Sequence, residues 1–524
     1  MSESVADGTE RRVLDSRVDK GLRPGALGLL ASIVIGVAST APAYSTAATL
    51  GLVIGILGFH SPGILLVSFV PMLFIAFAFR ELNAEDPDCG TTFTWATRAF
   101  GPWVGWMGGW GIVAACVVVM SSVSQVAAKY AFLLVGADRT AGSTLWTTVG
   151  GVVFIALLTA VCYLGIEISA RLQFVLLAIE LVTVVVFAVV ALVKAYAGHG
   201  MAGGRHPTAE WFNPFHGSFT SVSNAFLLAV FIYWGWDTAL SVNEETEDSA
   251  RTPGRAAVIA TVVLVAVFVL AGTAILAFAG PDYLAANSGD IFGALSNAVL
   301  GSWAGKLLIL SVLTSAAAST QTTIMPTARA TLSMAAFGAL PARFARVHPR
   351  LRTPGFSTVA MGVVSAVLYV ALSAISTNVL SDSASAVGLL IAFYYGLTGF
   401  ACVWYFRRTL RDSARALWMR GILPLLGGLV MLGAFVLSIT SYWPADSSSS
   451  SIGGIGGIFL IGAGSLLLGV VLMLLCRLRL PAFFAGETLS AATPTQAAAA
   501  PMTTSPDLRP TDPRSTDAAS RSSL

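Results

Sequence analysis

Long runs of apolar residues, separated by short polar or charged loops, dominate the chain from residue 25 to residue 476. A helix of about 20 apolar residues is long enough to cross the hydrocarbon core of a bilayer. The period-two alternation typical of membrane β-barrels does not occur. The pattern therefore predicts about 12 transmembrane helices. Their predicted ranges are 25–58, 62–80, 102–135, 145–165, 169–195, 219–242, 256–279, 294–325, 355–375, 384–406, 419–441 and 453–476.

The first run contains a polar interruption, GVASTAPAYS at residues 36–45. A straight helix over 25–58 would be about 51 Å long, whereas the hydrocarbon core is only about 30 Å thick. Pro42 removes a backbone donor and disfavours helical geometry at Ala41, and proline is favoured at the start of a new helix. The sequence predicts one half-helix ending near Val37 and a second beginning near Pro42. The alternative is a proline kink packed against neighbouring helices.

Backbone groups freed by such a break are tolerated in a membrane only where protein buries them or where they line a cavity. The amides of Ala43, Tyr44 and Ser45 would lie at the positive end of a half-helix, which attracts a carboxylate. Gly235 and Asp237 interrupt the sixth run in the same way. One broken helix in each half is the pattern of a five-plus-five inverted repeat. We therefore expect broken helices 1 and 6, with two further helices at the C-terminal end.

Composition agrees with an all-α polytopic membrane protein. The chain is 56% hydrophobic and 11% charged, whereas soluble domains carry about 25% charged residues. The formal net charge of +3 gives no reason to expect a nucleic-acid partner, and the scattered cysteines suggest free thiols rather than a disulfide framework.

Lys and Arg are distributed unevenly among the loops, and this asymmetry predicts the orientation. They cluster near the N-terminus and in the segments 329–352 and 407–420. The opposite loops hold only Lys129, Arg139, Lys194, Arg205 and Lys306. We expect a multi-pass protein of the plasma (inner) membrane with both termini cytoplasmic.

Several segments, in order, resemble the amino acid–polyamine–organocation transporter superfamily over residues 25–480. They are the broken first helix, FRELNAEDPDCGTTFTWATRAFGPWVGWMGGW (79–110), GIEISARLQ (165–173), YWGWDTALSVNEETEDSARTPGRA (233–256) and TARATLSMAAFGALPARFARVHPRLRTP (327–354). The resemblance implies a leucine-transporter-like fold. It also implies a substrate site at the two breaks, formed by Val37, Ala38, Ser39, Thr40, Ala41, Phe231, Trp234 and Gly235.

The sequence departs from the family pattern at the first break. Many members have Gly-Ser-Gly or a similar sequence there, where the backbone binds an amino-acid carboxylate, and here Thr40, Ala41 and Pro42 take that place. This substitution opens the alternative of a polyamine or another organic cation as substrate. Several proton-coupled relatives carry a lysine in helix five, at what looks like the position of Glu180.

Two acidic residues are candidates for proton coupling. Glu180 lies about 13 Å beyond Arg171 into its predicted helix. At that depth an ionised carboxylate is energetically costly, so the carboxyl group is expected to gain and lose a proton near neutral pH. Asp237 lies at the second break, where it could also cap the following half-helix. The alternative for Glu180 is a structural, hydrogen-bonded carboxyl.

Helix eight supplies hydroxyl groups, of which Ser315 and Ser319 share a face. Hydroxyls and carbonyls can ligate sodium, although small residues also allow close helix packing. Phe231 and Trp234, three residues apart at the second break, share a face, and one of them is a candidate aromatic gate, for which ordinary packing is the alternative. The acidic residues Glu244, Glu245, Glu247 and Asp248 are expected to form a solvated helix end.

The sequence thus predicts a secondary active importer of amino acids or related amines, working by proton symport with alternating access. The alternatives are a polyamine or organic-cation carrier, an exchanger, sodium coupling, or a transporter-like nutrient sensor. Neither an ATP-binding loop nor the HExxH or GxSxG motif of an enzyme occurs. The Gly-Arg-Arg motif of the major-facilitator carriers is missing from 81–101. We expect no enzymatic activity, no cofactor and no metal. The expected partners are a small-molecule substrate and the lipid bilayer. The sequence does not indicate the oligomeric state.

The predicted organisation has five parts. They are an N-terminal cytoplasmic tail (1–22), a first repeat (23–200), a second repeat (201–410), helices 11 and 12 (411–480) and a disordered cytoplasmic tail (481–524).

Overall fold

A computed structural model describes residues 19–376 and 378–495, and these residues are mostly helical. The helices that form the bundle, including the short α9 after the second break, are α1 (Leu29–Ser39), α2 (42–57), α3 (Ser61–Glu85), α4 (Thr92–Phe100), α5 (Pro102–Leu134), α6 (Thr144–Leu164), α7 (Ile166–Tyr196), α8 (Phe219–Ile232), α9 (Thr238–Ser241), α10 (Thr252–Ala279), α11 (Ile291–Ala336), α12 (Gly355–Ile375), α13 (Val379–Tyr405), α14 (Ala414–Tyr442) and α15 (Gly457–Arg479). Helix α2 joins Pro42–Tyr44, a π-helical turn Ser45–Thr49 and Leu50–Leu57, and α14 contains a second π-helical turn, Leu417–Ile422.

Short elements connect these helices. They are the α-helical segments Asp138–Ala141, Pro281–Ala286 and Pro481–Phe484, the 3₁₀ turns Gly58–His60, Ala209–Phe212, Asn243–Glu245, Ala342–Ala345 and Ala445–Ser447, and the antiparallel strands β1 (Ser451–Ile452) and β2 (Ile455–Gly456).

Within the described residues, ten helical segments are long and apolar enough to cross a membrane. The first of them, Leu29–Glu85, contains α1, α2 and α3, and the shorter α8 is continued beyond its break by α9. Helix α11 is bent at Gly301, whose φ of 82° and ψ of 170° are not helical. The all-α membrane architecture is confirmed, while the count of twelve, the inverted repeat and the domain boundaries stay predictions.

Both predicted helix breaks are present. Helix α1 ends at Ser39, and the next helix begins at Pro42, after Ala41 in the left-handed conformation (φ 50°, ψ 66°). Helix α8 ends at Ile232, and α9 begins at Thr238, with Gly235 at φ 123° between them. A proline at the first position of the second half-helix agrees with the role expected of Pro42.

The broken helices are packed inside the bundle. Helix α1 contacts α7, α9, α10 and α11, while α5 packs against α11, α13 and α6. Helix α5 is the most completely buried of the candidate spans, and α6 and α15 are among the most exposed. The two breaks therefore lie among protein helices, as freed backbone groups in a membrane require.

Both described ends of the chain lie at the same face of the bundle. Lys20 contacts Asp88 and Glu244 there, and Thr488 Oγ1 donates to the carbonyl of Phe337 at 2.6 Å. At the opposite face, the rings of His60 and His216 stack with their centroids 3.9 Å apart.

The segment 481–495 differs from the disordered tail predicted from residue 481. Its aromatic residues Phe483 and Phe484 are buried against Phe93 and Trp103. The Ala-, Ser- and Thr-rich composition that suggested disorder dominates residues 490–524, whereas the preceding PAFF sequence supplies apolar anchors. Residues 1–18 and 496–524, also predicted as tails, lie outside the described residues.

Candidate functional site

The carboxyl group of Glu180 lies at the start of α2. The N–H of Ala43 donates to Glu180 Oε1 at 2.7 Å, and the N–H of Tyr44 donates to Ser315 Oγ at 3.1 Å. Glu180 has no exposed surface. The position at which the sequence predicted a bound carboxylate is thus taken by a carboxyl group of the protein itself.

The remaining amides of the first break also have partners. The N–H groups of Thr40 and Ala41 donate to the carbonyls of Val37 and Ala38, each at 3.1 Å, and that of Ser45 donates to Ala41 at 2.8 Å. Since Pro42 has no N–H, every backbone donor from Thr40 to Ser45 is satisfied. The expectation of open amides facing a cavity is therefore not met in this conformation, because α7 and α11 fill the space.

Helix α11 joins this arrangement through the two predicted serines. Ser315 Oγ donates to Glu180 Oε1 at 2.6 Å, and Ser319 Oγ donates to the carbonyl of Ser39 at 3.1 Å. Across residues 19–376 and 378–495, Glu180 Oε2 has no hydrogen-bond partner and no basic side chain forms an ion pair with Glu180. This set of oxygens suits a proton on Oε2 or a small hard cation.

The two breaks touch each other at Gly235. A Cβ atom on Gly235 would lie 2.8 Å from the carbonyl carbon and oxygen of Ser39. Beside this contact, the hydroxyls of Ser39 and Thr238 are hydrogen-bonded at 2.8 Å. The absence of a side chain at Gly235 thus allows the backbone of one break to lie directly against the other.

Asp237 occupies the N-cap position of α9, but its carboxylate does not cap that helix. Instead, Tyr394 OH donates to Asp237 Oδ2 and Tyr395 OH donates to Oδ1, each at 2.9 Å. Trp234 Nε1 in turn donates to Tyr394 OH. The result is a buried carboxylate surrounded by aromatic side chains from the second break and α13.

The other predicted site residues are also buried. Val37 and Ala38 lie in the last turn of α1, Phe231 lies in the last turn of α8, and Trp234 lies within the second break. The structure brings Glu180, Ser315 and Ser319 together at the first break and places Asp237 and Trp234 with the tyrosines of α13. The sequence analysis missed Tyr394 and Tyr395, although a YYG run inside an apolar helix was a detectable signal.

A second group of charges lies at the bundle face that holds both chain ends. Lys20 Nζ is 2.7 Å from Asp88 Oδ2, 2.6 Å from Glu244 Oε1 and 3.6 Å from Cys89 Sγ. Asp88, Cys89 and Glu244 have side chains of the metal-ligating type, but the Lys20 ammonium lies among them. We call Lys20, Asp88, Cys89 and Glu244 the lysine cluster.

Burial and ion pairing act in opposite directions on these groups. Burial alone would lower the pKa of Lys20, but the carboxylates around it raise that pKa well above its ordinary value. Burial would raise the pKa of Asp88, and Lys20 instead holds it below its ordinary value. For Glu244 burial prevails over the attraction of Lys20 and raises the pKa. Lys20 is therefore the charge that keeps Asp88 ionised.

Of the four acidic residues expected to be solvated, Glu244 and Glu245 are instead largely buried, whereas Glu247 and Asp248 are exposed as expected. Besides the contact of Glu244 with Lys20, Glu245 is completely buried and pairs with Arg329 Nε at 2.5 Å. The expectation was wrong for these two residues because their partners come from distant segments of the chain.

Comparison with known proteins identifies the family. Residues 26–463 match the profile described as "Amino acid permease". The chain belongs to the amino acid permease family. An uncharacterized transporter of Mycobacterium tuberculosis is 28% identical over 459 residues, covering 85% of this chain and 93% of its own. The low-affinity putrescine importer PlaP of Escherichia coli is 25% identical over 394 residues, covering 73% of this chain and 82% of its own.

A solved structure shows the same fold. The crystal structure of MhsT in complex with L-phenylalanine aligns with a TM-score of 0.52 at 15% identity, covering 78% of this chain and 97% of MhsT. This likeness confirms the predicted leucine-transporter-like fold, and the profile match over residues 26–463 confirms the predicted superfamily. Family membership also confirms that this permease is a membrane transporter rather than an enzyme.

Proposed function

We propose that this permease imports an amine-bearing small molecule, an amino acid or a polyamine, by proton symport. The observation that carries the proposal is the pair of buried carboxyl groups, Glu180 and Asp237, one at each helix break. Among the described residues no basic side chain forms an ion pair with either. A buried site with acidic groups and no paired base attracts protons and cationic substrates.

The chemistry around Asp237 favours an amine as the recognised group. A carboxylate bordered by Trp234, Tyr394 and Tyr395 offers an ammonium both ionic and cation–π contacts. The backbone donors at the first break are already occupied, so a substrate carboxylate gains little there in this conformation. The names of relatives agree, since they include a putrescine importer, cationic amino acid transporters of Arabidopsis thaliana and an arginine/ornithine antiporter of Latilactobacillus sakei.

Glu180 is the proposed proton carrier. Its Oε1 connects α7 with α2 and α11, while Oε2 is available for a proton. A proton on Oε2 would neutralise the carboxyl group and make its burial inexpensive, whereas an ionised Glu180 would favour a conformation in which water reaches it. Movement of α1 and α2 relative to α7 would then link protonation to alternating access. Sodium held by Ser315, Ser319 and the Ser39 carbonyl is the alternative coupling ion.

In the proposed orientation, the protein lies in the plasma (inner) membrane with both termini in the cytoplasm. The uneven distribution of Lys and Arg supports this orientation. The common location of the two described ends at one bundle face agrees with it.

The test is uptake of labelled amino acids, polyamines and simple amines into vesicles containing the purified permease, driven by an inward proton or an inward sodium gradient. We expect a proton gradient to drive uptake of an amine-bearing compound. Glu180→Gln, which imitates a permanently protonated carboxyl, should abolish gradient-driven accumulation while preserving substrate exchange across the vesicle membrane. Glu85→Gln, at an exposed glutamate, is the matched control and should retain uptake.

The other results have distinct meanings. Proton-driven uptake that survives Glu180→Gln would exclude Glu180 as the carrier of the proton. Uptake driven only by sodium, and lost in Ser319→Ala, would move coupling to α11. Substrate binding without uptake or exchange under any gradient would contradict transport and support a nutrient sensor.

A further inference from the structure

Two adjoining hollows lie beside the N-terminal segment, at the bundle face that holds both chain ends. The first is an apolar groove of about 430 Å³ between α1 and α7, which we call the α1/α7 groove. Leu30 and Val34 line it from α1, and Ala170 and Phe174 line it from α7. Leu30 and Phe174 are well exposed outside the bundle, so the groove opens toward the surrounding lipid.

The second hollow is polar and basic. It has a volume of about 580 Å³, and Arg23, Arg350 and Arg352 line it together with Asp19, Leu22 and Pro24. We call it the arginine hollow. The carboxylate of Asp19 accepts the N–H of Gly21 at 2.7 Å, and all three arginines are exposed. Their guanidinium groups are therefore accessible to an anion.

The two hollows are joined at one ion pair. Arg23 Nη2, from the arginine hollow, lies 3.1 Å from Oε1 of Glu167, which lines the α1/α7 groove. Arg171, one helical turn beyond Glu167, is exposed at the same end of the groove. Positive charge is thus concentrated where the apolar groove begins.

We propose that these hollows together bind one anionic phospholipid of the membrane leaflet on this side. The lipid phosphate would contact Arg350, Arg352 and Arg23, since guanidinium groups bind phosphate oxygens through paired N–H donors. An acyl chain would occupy the α1/α7 groove. Basic pockets beside membrane helices are suited to such headgroups.

The shape of the site favours a lipid over a soluble phosphate compound. A soluble phosphate would fill only the arginine hollow and leave the adjoining apolar groove without a ligand of matching chemistry. Along α7, Glu167 and Phe174 are separated by about 10 Å, so the charged and apolar contacts follow one another in the order of a headgroup and its acyl chain. The bound lipid would connect the N-terminal segment, α7 and the loop carrying Arg350 and Arg352.

The test measures binding to the purified full-length permease in a nonionic detergent, by native mass spectrometry and thermal stabilisation. The probes are phosphatidylglycerol, phosphatidylcholine with the same acyl chains, and soluble glycerol phosphate. We expect phosphatidylglycerol to bind most tightly, and its affinity to fall about tenfold or more in the double variant Arg350→Gln, Arg352→Gln. The control Arg408→Gln, Arg411→Gln removes the same charge from another exposed part of this face and should bind as the native protein does.

A third variant tests the groove itself. Ala170→Phe fills the α1/α7 groove without changing charge and should also weaken phosphatidylglycerol binding. If both double variants lost the same affinity for phosphatidylglycerol, or if neither lost any, Arg350 and Arg352 would not be the residues that bind the headgroup. Unchanged binding in Ala170→Phe, or glycerol phosphate binding as tightly as the lipid, would overturn the assignment of a phospholipid. These measurements do not depend on transport, so they stand whether or not the proposed function holds.

Discussion

Gly235 is a position where one added methyl group should disrupt the contact between the two breaks. Its φ of 123° is unfavourable for any side chain, and a Cβ would lie 2.8 Å from backbone atoms of Ser39. We expect Gly235→Ala to destabilise the fold by about 1–3 kcal/mol and to abolish uptake. The melting temperature of the purified variant and uptake in vesicles would show both effects.

The matched control for this prediction is Gly433→Ala. Gly433 lies in α14, and among the described residues no neighbouring atom would come within 4 Å of a Cβ added there. Alanine is also the better helix former. We expect equal or slightly higher stability in this variant. Native stability and uptake in Gly235→Ala would mean that the two breaks do not need this close approach.

The sequence revealed some residues of the site and concealed others for a physical reason. Glu180 and Asp237 could be predicted because a carboxyl group inside an apolar helix is costly wherever it lies. The YYG run could have drawn attention to Tyr394 and Tyr395 but does not indicate their partner, since tyrosine is common in membrane helices and Asp237 lies 157 residues away from Tyr394. The contacts of Lys20 could not be predicted for a similar reason, because the polar sequence around it resembles an ordinary solvated tail.

At the scale of elements, the lysine cluster joins the N-terminal segment to the loops after α3 and α9. Lys20→Met should leave Asp88 and Glu244 buried without their cation, and losing one partner of a buried ion pair costs about 3–5 kcal/mol. We expect a lower melting temperature, whereas Lys306→Met, at an exposed lysine, should have little effect. Equal stability of the two variants would contradict the structural role of the cluster.

The same substitution should reverse how Asp88 makes stability depend on pH. In the native protein the pKa of Asp88 is lowered. Its contribution is therefore present above the unfolded pKa of about 4 and is lost as pH falls through the folded value. Without Lys20, burial raises that pKa, so stability is greatest at low pH and falls as pH rises. Melting temperatures of both proteins across the acidic to neutral range would test this, and parallel curves would contradict it.

The short helix Pro481–Phe484 should hold the segment 481–495 against the bundle. Phe483 is fully buried, and its ring stacks on Phe93 with centroids 5.6 Å apart. We expect Phe483→Ala to weaken docking by about 3–5 kcal/mol and to speed hydrogen exchange in residues 481–495. Phe215→Ala, at a phenylalanine that is 77% exposed, is the control. Unchanged exchange in Phe483→Ala would mean that the segment is held by other contacts, such as those of Arg98 with the carbonyls of Ser490 and Pro494.

At the scale of the whole molecule, hydrophobic runs predict helices well but predict their mutual packing poorly. The lengths of the apolar runs and the placement of Pro42 and Gly235 indicated the class of fold and both broken helices. They did not indicate that Glu180 would fill the first break, because that contact depends on how α7 and α11 pack around α1. The family resemblance predicted the broken helices and a substrate site beside them, and only the structure showed that Glu180 lies against the first break.

The proposed alternating access requires that the face holding both chain ends open during transport, and Cys89 offers a native probe of that opening. Cys89 is 1% exposed and lies within the lysine cluster. In a variant that keeps Cys89 as its sole cysteine, we expect slow labelling by a thiol reagent at rest. Labelling should become faster during proton-driven uptake and in Lys20→Met.

A cysteine on the opposite face completes this experiment. Phe215→Cys, in the same background with Cys89 also replaced, should react in intact cells with a reagent that cannot cross the membrane. Cys89 should react with that reagent only after the cytoplasmic side is made accessible. If Cys89 were instead labelled from outside, the proposed orientation would be reversed. If labelling of Cys89 stayed slow throughout active uptake, the lysine cluster would remain closed during transport. The substrate would then have to leave by a route that does not pass between α1, α4 and α9.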